Sequence, residues 1–379
     1  MKAFILFATM TLLVSCAPKV QEDSVVPGSE LGFSVKVFRN ALRQSAPDEN
    51  VTVSPYSAGV ALSMLAEGAE GQTRTELDNA LGGCLFRKAE LGDGDTVTVK
   101  SANSVWINDD FSVRNTYVDL LSKEYGAFAD VMDFSDPSTV HAINNWCSEN
   151  TEGMIKGIVN KLNPQMVMVL ANALYFKAPW EKPFDPASTA AAVFHGSKGD
   201  ADIPFMNGTL TCGYVDYAGN TLVSIPYKGG RYSMYIMLPS KDIGVNGVVS
   251  YMSEGGLKDV MSHVKNTRVR LSMPKFKVES EMSLVKTLEA MGVRTAFTSA
   301  ADLSGIARGP LSVSDVYQKA VVDVDEKGSE AAAVTTVTVS LTSARVDQVP
   351  SVVIDRPFLY MIADLEADRI LFAGKIMNL

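Results

Sequence analysis

Apolar residues recur at helical spacing through LGFSVKVFRNALR (31–43), a pattern that predicts a first helix. NVTVSPYS follows as a short strand and a Ser-Pro helix start, and AGVALSMLAEGAEG continues with the small, apolar pattern of a buried helix. Thr73 opens another helix, TRTELDNAL, with an acid in its first turn. SANSVWIND (101–109) reads as a strand, RNTYVDLLSKEYGA as an amphipathic helix, and VHAINNWCSENTEGMI as a helix ending at Gly153. The almost unbroken apolar run MVMVLANALYF (166–176) suits a central strand.

Period two dominates the second half of the chain. YVDYAGNTLVSIPYKGGRYSMYIMLP (214–239) gives three short strands joined by Gly-Asn and Gly-Gly turns, a meander. RVRLSMPKFKVESE alternates as a strand, SLVKTLEAMG is a helix closed by Gly292, and LSVSDVYQKAVVDVDE supplies two further strands. The terminal VVIDRPFLYMIADLEADRILFAGKIMNL predicts a hairpin turning between Asp364 and Asp368. Helices gather early and strands late, so the expected class is α+β with antiparallel or mixed sheets. Neither a repeat nor a linker divides residues 30–379, so one domain is expected there.

Composition is globular, 46% hydrophobic and 20% charged, and the net charge of -9 without a basic run argues against a nucleic-acid partner. The first residues change the setting. MKAFILFATMTLLVSC has one lysine before an apolar run too short to span a bilayer, the form of an export signal over residues 1–15. Leu13-Val14-Ser15-Cys16 resembles a bacterial lipobox, which makes Cys16 a lipidated first residue, residues 16–29 a tether, and a membrane a partner. An ordinary signal peptide with a coincidental cysteine is the other reading. Both take the chain out of the cytoplasm, to the periplasm or the cell surface.

Candidate catalytic chemistry is sparse. His141, His195 and His263 are the only histidines, and HExxH, GxSxG and phosphate-loop patterns are missing. Nothing ties a histidine to a nucleophile and an orienting acid, so no enzyme, metal or cofactor is expected. Cys84, Cys147 and Cys212 have neither CxxC spacing nor the number of a disulfide framework, and read as buried or semi-buried small residues.

DEKGSEAAAVTTVTVSLTSARVD (325–347) combines the small residues of a linker with the β-branched alternation of a strand. One alternating face is Ser329, Ala331, Ala333, Thr335, Val337, Val339 and Leu341; the other is Glu330, Ala332, Val334, Thr336, Thr338, Ser340 and Thr342. Proline is absent from 329–342, so every amide there is able to join a ladder.

These stretches, in this order, resemble the serpin family across nearly the whole mature chain. The resemblance is carried by NVTVSPYSAGVALSMLAEGAEGQT, INNWCSENTEGMI, MVLANALYFKAPWEKPF, IPYKGGRYSMYIMLP, LSMPKFKVE, ADLSGI, DRPFLYMI and LFAGKI. It implies three β-sheets, eight or nine helices and an exposed reactive loop over about 326–350. It also implies irreversible inhibition of serine or cysteine proteases, the acyl-enzyme being trapped when the cleaved loop inserts into sheet A. In that family, loop insertion is a known case of strand addition to an existing sheet. On this resemblance the hinge comprises Glu326, Gly328, Ser329, Ala331, Ala332 and Ala333, and Trp180 belongs to the breach where the sheet parts.

Counting fourteen positions from Gly328 places the scissile bond at Thr342–Ser343, which suits elastase-like or broad-specificity proteases. Leu341 and Arg345 are the alternatives. Family members with a histidine in the strand before the hinge latch the sheet through it; this chain has Gln318 there, with Ser54, Ser57 and Asn172 as expected partners. Met154 replaces the family's usual lysine. A monomer is expected, and a serpin-fold binding lipoprotein that inhibits nothing is the alternative function. A lipoprotein hydrolase is disfavoured by the missing triad.

Overall fold

The computed structural model describes residues 29–89, 91–92, 97–329 and 349–379, with only the backbone of Tyr251. The first half comprises α1 (Glu30–Gln44), β1 (Val51–Val53), α2 (Pro55–Glu67), α3 (Gly71–Leu81), β2 (Thr98–Asn108), α4 (Asn115–Leu120), β3 (Phe128–Met132), α5 (Pro137–Asn150) and β4 (Met168–Pro179). The strands β5 (Ala190–Gly196), β6 (Gly199–Tyr217), β7 (Asn220–Pro226) and β8 (Tyr232–Leu238) follow. Next come α6 (Gly244–Tyr251), α7 (Glu254–Ser262), β9 (Lys265–Pro274), β10 (Phe276–Ser283) and α8 (Val285–Ala290). The chain closes with β11 (Asp315–Val324), β12 (Gly328–Ser329), β13 (Ser351–Val353), β14 (Phe358–Asp364) and β15 (Arg369–Ile376).

Local chemistry explains the helix starts. Ser29 caps α1 by accepting from Gly32 N at 3.1 Å. Ser54 caps α2, with Pro55 in its first turn, and every residue from Pro55 to Ala66 is buried, so α2 runs through the centre of the molecule.

Two hydrogen-bonded sheets form, one ordered β10-β11-β12-β4-β2-β3 and one ordered β1-β15-β14-β8-β7-β6-β9-β13 with β5 added to β6. The α+β class holds, with eight α-helices among the described residues. The third expected sheet is continuous with the second, because β6 is 19 residues long. Its first part pairs with β5, its middle with β9 and its end with β7, so one strand serves both.

β4 is buried on both faces, which is why its sequence is almost continuously apolar. Leu170, Leu174 and Phe176 enter the main core, whereas Val169, Ala171 and Ala173 enter a smaller cluster with Ile143 and Cys147 of α5.

Several expected boundaries move. RVRLSMPKFKVESE is two strands, β9 and β10, in different sheets, the chain crossing between them at Pro274 and Phe276. LSVSDVYQKAVVDVDE holds one strand, β11, rather than two. The helix after Arg114 becomes a π-turn from Leu121 to Tyr125, α5 ends at Asn150, and α3 begins at Gly71 rather than Thr73. Among the described residues no helix is long and apolar enough to cross a membrane.

Candidate functional site

β4 and β11 lie side by side, parallel, from Val169↔Asp315 to Tyr175↔Val321. Beyond that point they part, and the two residues of β12 occupy the gap. Gly328 and Ser329 pair antiparallel with Pro179 and Ala178 of β4, and Ser329 pairs with Val324 of β11. The start of the expected hinge is therefore a seated strand.

A tight turn makes this possible. Asp325 Oδ1 accepts from Lys327 N at 2.8 Å and Gly328 N at 3.2 Å, while Asp325 N donates to Gly328 O at 2.9 Å. The expected breach residue Trp180 buttresses the turn: its Nε1 donates to Asp325 O at 3.0 Å and its backbone N donates to Lys327 O at 2.8 Å. Gly328 is required by space. A Cβ there would lie 2.1 Å from Ala178 O and 2.6 Å from Pro179 Cα.

Glu326 fastens the turn to its surroundings. Its carboxylate lies 2.9 Å from Lys275 Nζ and accepts from Thr189 Oγ1 at 2.8 Å, and its carbonyl accepts from Phe184 N at 2.8 Å. Burial pushes this carboxyl up, but Lys275, the backbone and Thr189 together outweigh burial and hold it below the usual range. The buried Ser329 hydroxyl lies 2.7 Å from Tyr227 Oη, and the Tyr227 ring stacks on Trp180 at 4.5 Å. Sequence reasoning misses Tyr227, Lys275 and Thr189. Tyr227 lies within IPYKGG, which reads simply as the end of a meander strand.

In the middle of the sheet, Gln318 stands opposite Asn172. Gln318 Oε1 accepts from Ser54 N at 2.8 Å and its Nε2 donates to Ser54 O at 2.9 Å. Asn172 instead donates to Asn103 Oδ1 at 3.0 Å, leaving its own Oδ1 buried without a partner. The Ser57 hydroxyl is likewise buried and unpartnered, while its backbone N donates to Ser54 Oγ at 3.1 Å. The expected four-residue latch thus resolves into two attachments. Gln318 ties β11 to the Ser54 backbone, Asn172 ties β4 to β2, and no side-chain bond joins these four residues across the β4–β11 seam.

The histidines lie at the surface: His195 Nδ1 is 2.9 Å from Asp200 Oδ1, His263 Nδ1 is 2.8 Å from Asp259 O, and His141 is exposed on α5. Cys84, Cys147 and Cys212 are buried and free, in keeping with their spacing. Burial pushes the Cys147 thiol up to about 12 and that of Cys212 to about 11. Among the described residues no group of three or more His, Cys, Asp or Glu side chains is placed to hold a metal ion. Cys16, Ala331, Ala332, Ala333, Leu341, Thr342, Ser343 and Arg345 lie outside the described residues.

A family model described as serpin, serine protease inhibitor, matches residues 29–379. Iripin-3 of Ixodes ricinus is 33% identical, over 99% of this chain and 100% of its own length. An uncharacterized serpin-like protein of Thermococcus kodakarensis is 32% identical, over 87% of this chain and 81% of its own length. The native-state crystal structure of the thermophilic serpin tengpin superposes with a TM-score of 0.84 at 31% identity, covering 92% of this chain and 93% of that one. Matched over this length in both sequence and fold, the chain belongs to the serpin family of serine protease inhibitors.

Proposed function

We propose that this serpin is a single-use inhibitor of serine endopeptidases, with cysteine endopeptidases as a second target class. The observation that carries the reading is the seated pair Gly328–Ser329 between β4 and β11. Continuing both pairings by two-residue steps brings Thr335 opposite Asn172 on one side and Gln318 on the other. Those two residues already face each other, so the two extrapolations agree. In that register Ser329, Ala331, Ala333, Thr335, Val337 and Val339 all face the main core, beside Ala178, Phe176, Leu174, Leu170, Val316, Ala320 and Val322. Alanine suits the positions beside the bulky Phe176 and Leu174, and Thr335 brings a hydroxyl to the unpartnered Asn172 Oδ1.

The covalent step uses the loop as substrate. The protease nucleophile attacks the Thr342 carbonyl, the Thr342–Ser343 C–N bond breaks, and the Ser343 nitrogen leaves as an amine after taking a proton. An ester, or a thioester with a cysteine enzyme, remains on Thr342. Freed, the loop enters the sheet, exchanging one β4–β11 seam for two. On the order of ten added backbone hydrogen bonds at ~1 kcal/mol each, with aliphatic burial, exceed the several kcal/mol of an oxyanion hole. The protease is carried roughly 40 Å by thirteen strand steps, and its distorted site no longer hydrolyses the acyl bond.

Incubation with neutrophil elastase, subtilisin and trypsin, read on denaturing gels, tests this. A denaturant-stable complex and release of residues 343–379 are expected, with Ala331→Arg turning the trap into a substrate. Cleavage without any covalent complex would sink the reading and leave a serpin-fold binding protein. A fragment beginning after Leu341 or Arg345 would move the scissile bond.

The N terminus extends the same reading: residues 1–15 direct export, Cys16 carries the lipid, residues 16–29 tether a monomeric serpin domain, and the membrane is the second partner. Cys16→Ser is expected to shift the exported protein from the membrane to the soluble fraction. An unchanged membrane fraction would refute the anchor.

A further inference from the structure

One hydroxyl from outside the loop holds Ser329 in the sheet. Ser329 is 1% exposed, Tyr227 is 0% exposed, and their hydroxyl oxygens lie 2.7 Å apart. Among the described residues neither hydroxyl makes another hydrogen bond, so the buried Tyr227 hydroxyl is orphaned if Ser329 leaves. Burial pushes the Tyr227 phenol far up, so it stays protonated.

Tyr227 is unable to follow a departing hinge. Its ring is clamped between Trp180, stacked at 4.5 Å, and Phe176, edge-on at 4.9 Å. Its backbone bridges antiparallel to Trp180, its N donates to Tyr232 O at 3.0 Å, and the next amide, Lys228 N, donates to Pro179 O at 2.8 Å. The bond therefore discriminates between a seated Ser329 and a released one. It favours the seated state before cleavage, and the same register serves when the rest of the loop enters, because Ser329 already faces Ala178 and Val324.

We propose that Tyr227 is a positioning residue for loop entry: its hydroxyl keeps Ser329 threaded between β4 and β11, so the sheet opens from an occupied end. The consequence for trapping rests on the inhibitory reading above; the seating itself does not.

The test has two arms on the full chain. In the uncleaved protein, Tyr227→Phe keeps the ring and removes the hydroxyl. Hydrogen exchange at the Gly328 and Ser329 amides is expected to rise about five-fold, the population change a typical buried hydrogen bond is worth, with β14 amides unchanged. Ser329→Ala is expected to give the same rise, and the double variant no more than either single one. Unchanged hinge exchange, or an equal rise in β14, overturns the proposal. In the second arm, a protease that wild type traps is expected to be trapped by Tyr227→Phe at a smaller fraction of cleavage events. Equal trapping overturns the role in loop entry. If wild type is cleaved without trapping, the inhibitory reading falls while the exchange arm still decides the seating.

Discussion

Gln318 grips Ser54 through both ends of its amide, accepting from Ser54 N at 2.8 Å and donating to Ser54 O at 2.9 Å. Both groups are buried, and Ser54 O also accepts from Ala58 N, so Ser54 N is the group that depends on Gln318 alone. Gln318→Leu is expected to cost about 1–3 kcal/mol in urea unfolding, the penalty of one orphaned buried donor. Because the grip does not cross the β4–β11 seam, complex formation with a trapped protease is expected to slow by less than about two-fold. A much larger change in rate, with stability intact, would show that Gln318 latches the seam itself.

The same residue marks what the sequence reveals and what it conceals. Gln318 and Lys319 interrupt the apolar pattern, so two strands are read where β11 is one. Gln318 is buried because Ser54 satisfies it, while Lys319 lies on the opposite face of the strand, mostly buried and paired with Glu279 at 3.0 Å. The crossing at Pro274 is hidden for the opposite reason: alternation continues through it although the strands enter different sheets. α6 escapes a reading of the sequence, since NGVV offers poor helix propensity, and α1 packs against it, whereas the stretch before His263 reads as helix-like and forms α7. At the site, the alternation of small residues from Ser329 onward is legible because period two is local. The hinge assignment comes from the family resemblance, and the close approach of Ala178 to Gly328 emerges only from the fold. Tyr227 is not legible, for its partner Ser329 lies 102 residues away.

Glu326 of the proposed hinge pairs with Lys275 at 2.9 Å, with the carboxylate mostly buried and the ammonium about one-third exposed. A double-mutant cycle with Glu326→Gln and Lys275→Met is expected to give a coupling of ~1 kcal/mol in denaturant unfolding, at the upper end for partly solvated pairs. The folded carboxyl sits below its unfolded pKa, so this contribution is present above that value and lost as pH falls. Coupling indistinguishable from zero would remove the pair from any account of how the hinge is held.

Glu76 stitches α3 to the turn at Arg294–Thr295. Its carboxylate accepts from Arg294 N at 2.8 Å, Thr295 N at 2.7 Å and Thr295 Oγ1 at 2.7 Å. Burial alone pushes this carboxyl up, but the Thr295 and Arg294 donors together, with Gln72, hold it at about 2, against an ordinary value of 4.5. Its folded pKa is depressed, so its stabilisation is complete above pH 4.5 and disappears as pH falls through about 2. Glu76→Gln is expected to lower stability at pH 7 and flatten the acid limb over that window. Parallel stability curves for the two proteins from pH 5 to 2 would contradict this.

Gly328 decides whether the hinge is seated at all. An alanine Cβ there would meet only backbone: Ala178 O at 2.1 Å, Pro179 Cα at 2.6 Å and Ala178 C at 2.9 Å. β4 is unable to retreat, because β2 pairs with it from Thr98↔Lys177 onward on its far side. Gly328→Ala therefore expels β12, frees Ser329 from Tyr227 and removes the threaded end from which the loop would enter. The hinge lies at the end of the sheet, so the fold is expected to survive. A target protease should then cleave the loop and escape, raising the inhibitor consumed per protease inactivated by more than about ten-fold, the effect of losing over ~1.4 kcal/mol of seating. Gly255→Ala in α7, where a Cβ meets nothing within 4 Å, serves as the control. It is expected to trap normally and to gain up to about 1 kcal/mol of stability from helix propensity. Wild-type trapping by Gly328→Ala would mean that the loop enters the sheet without a seated hinge.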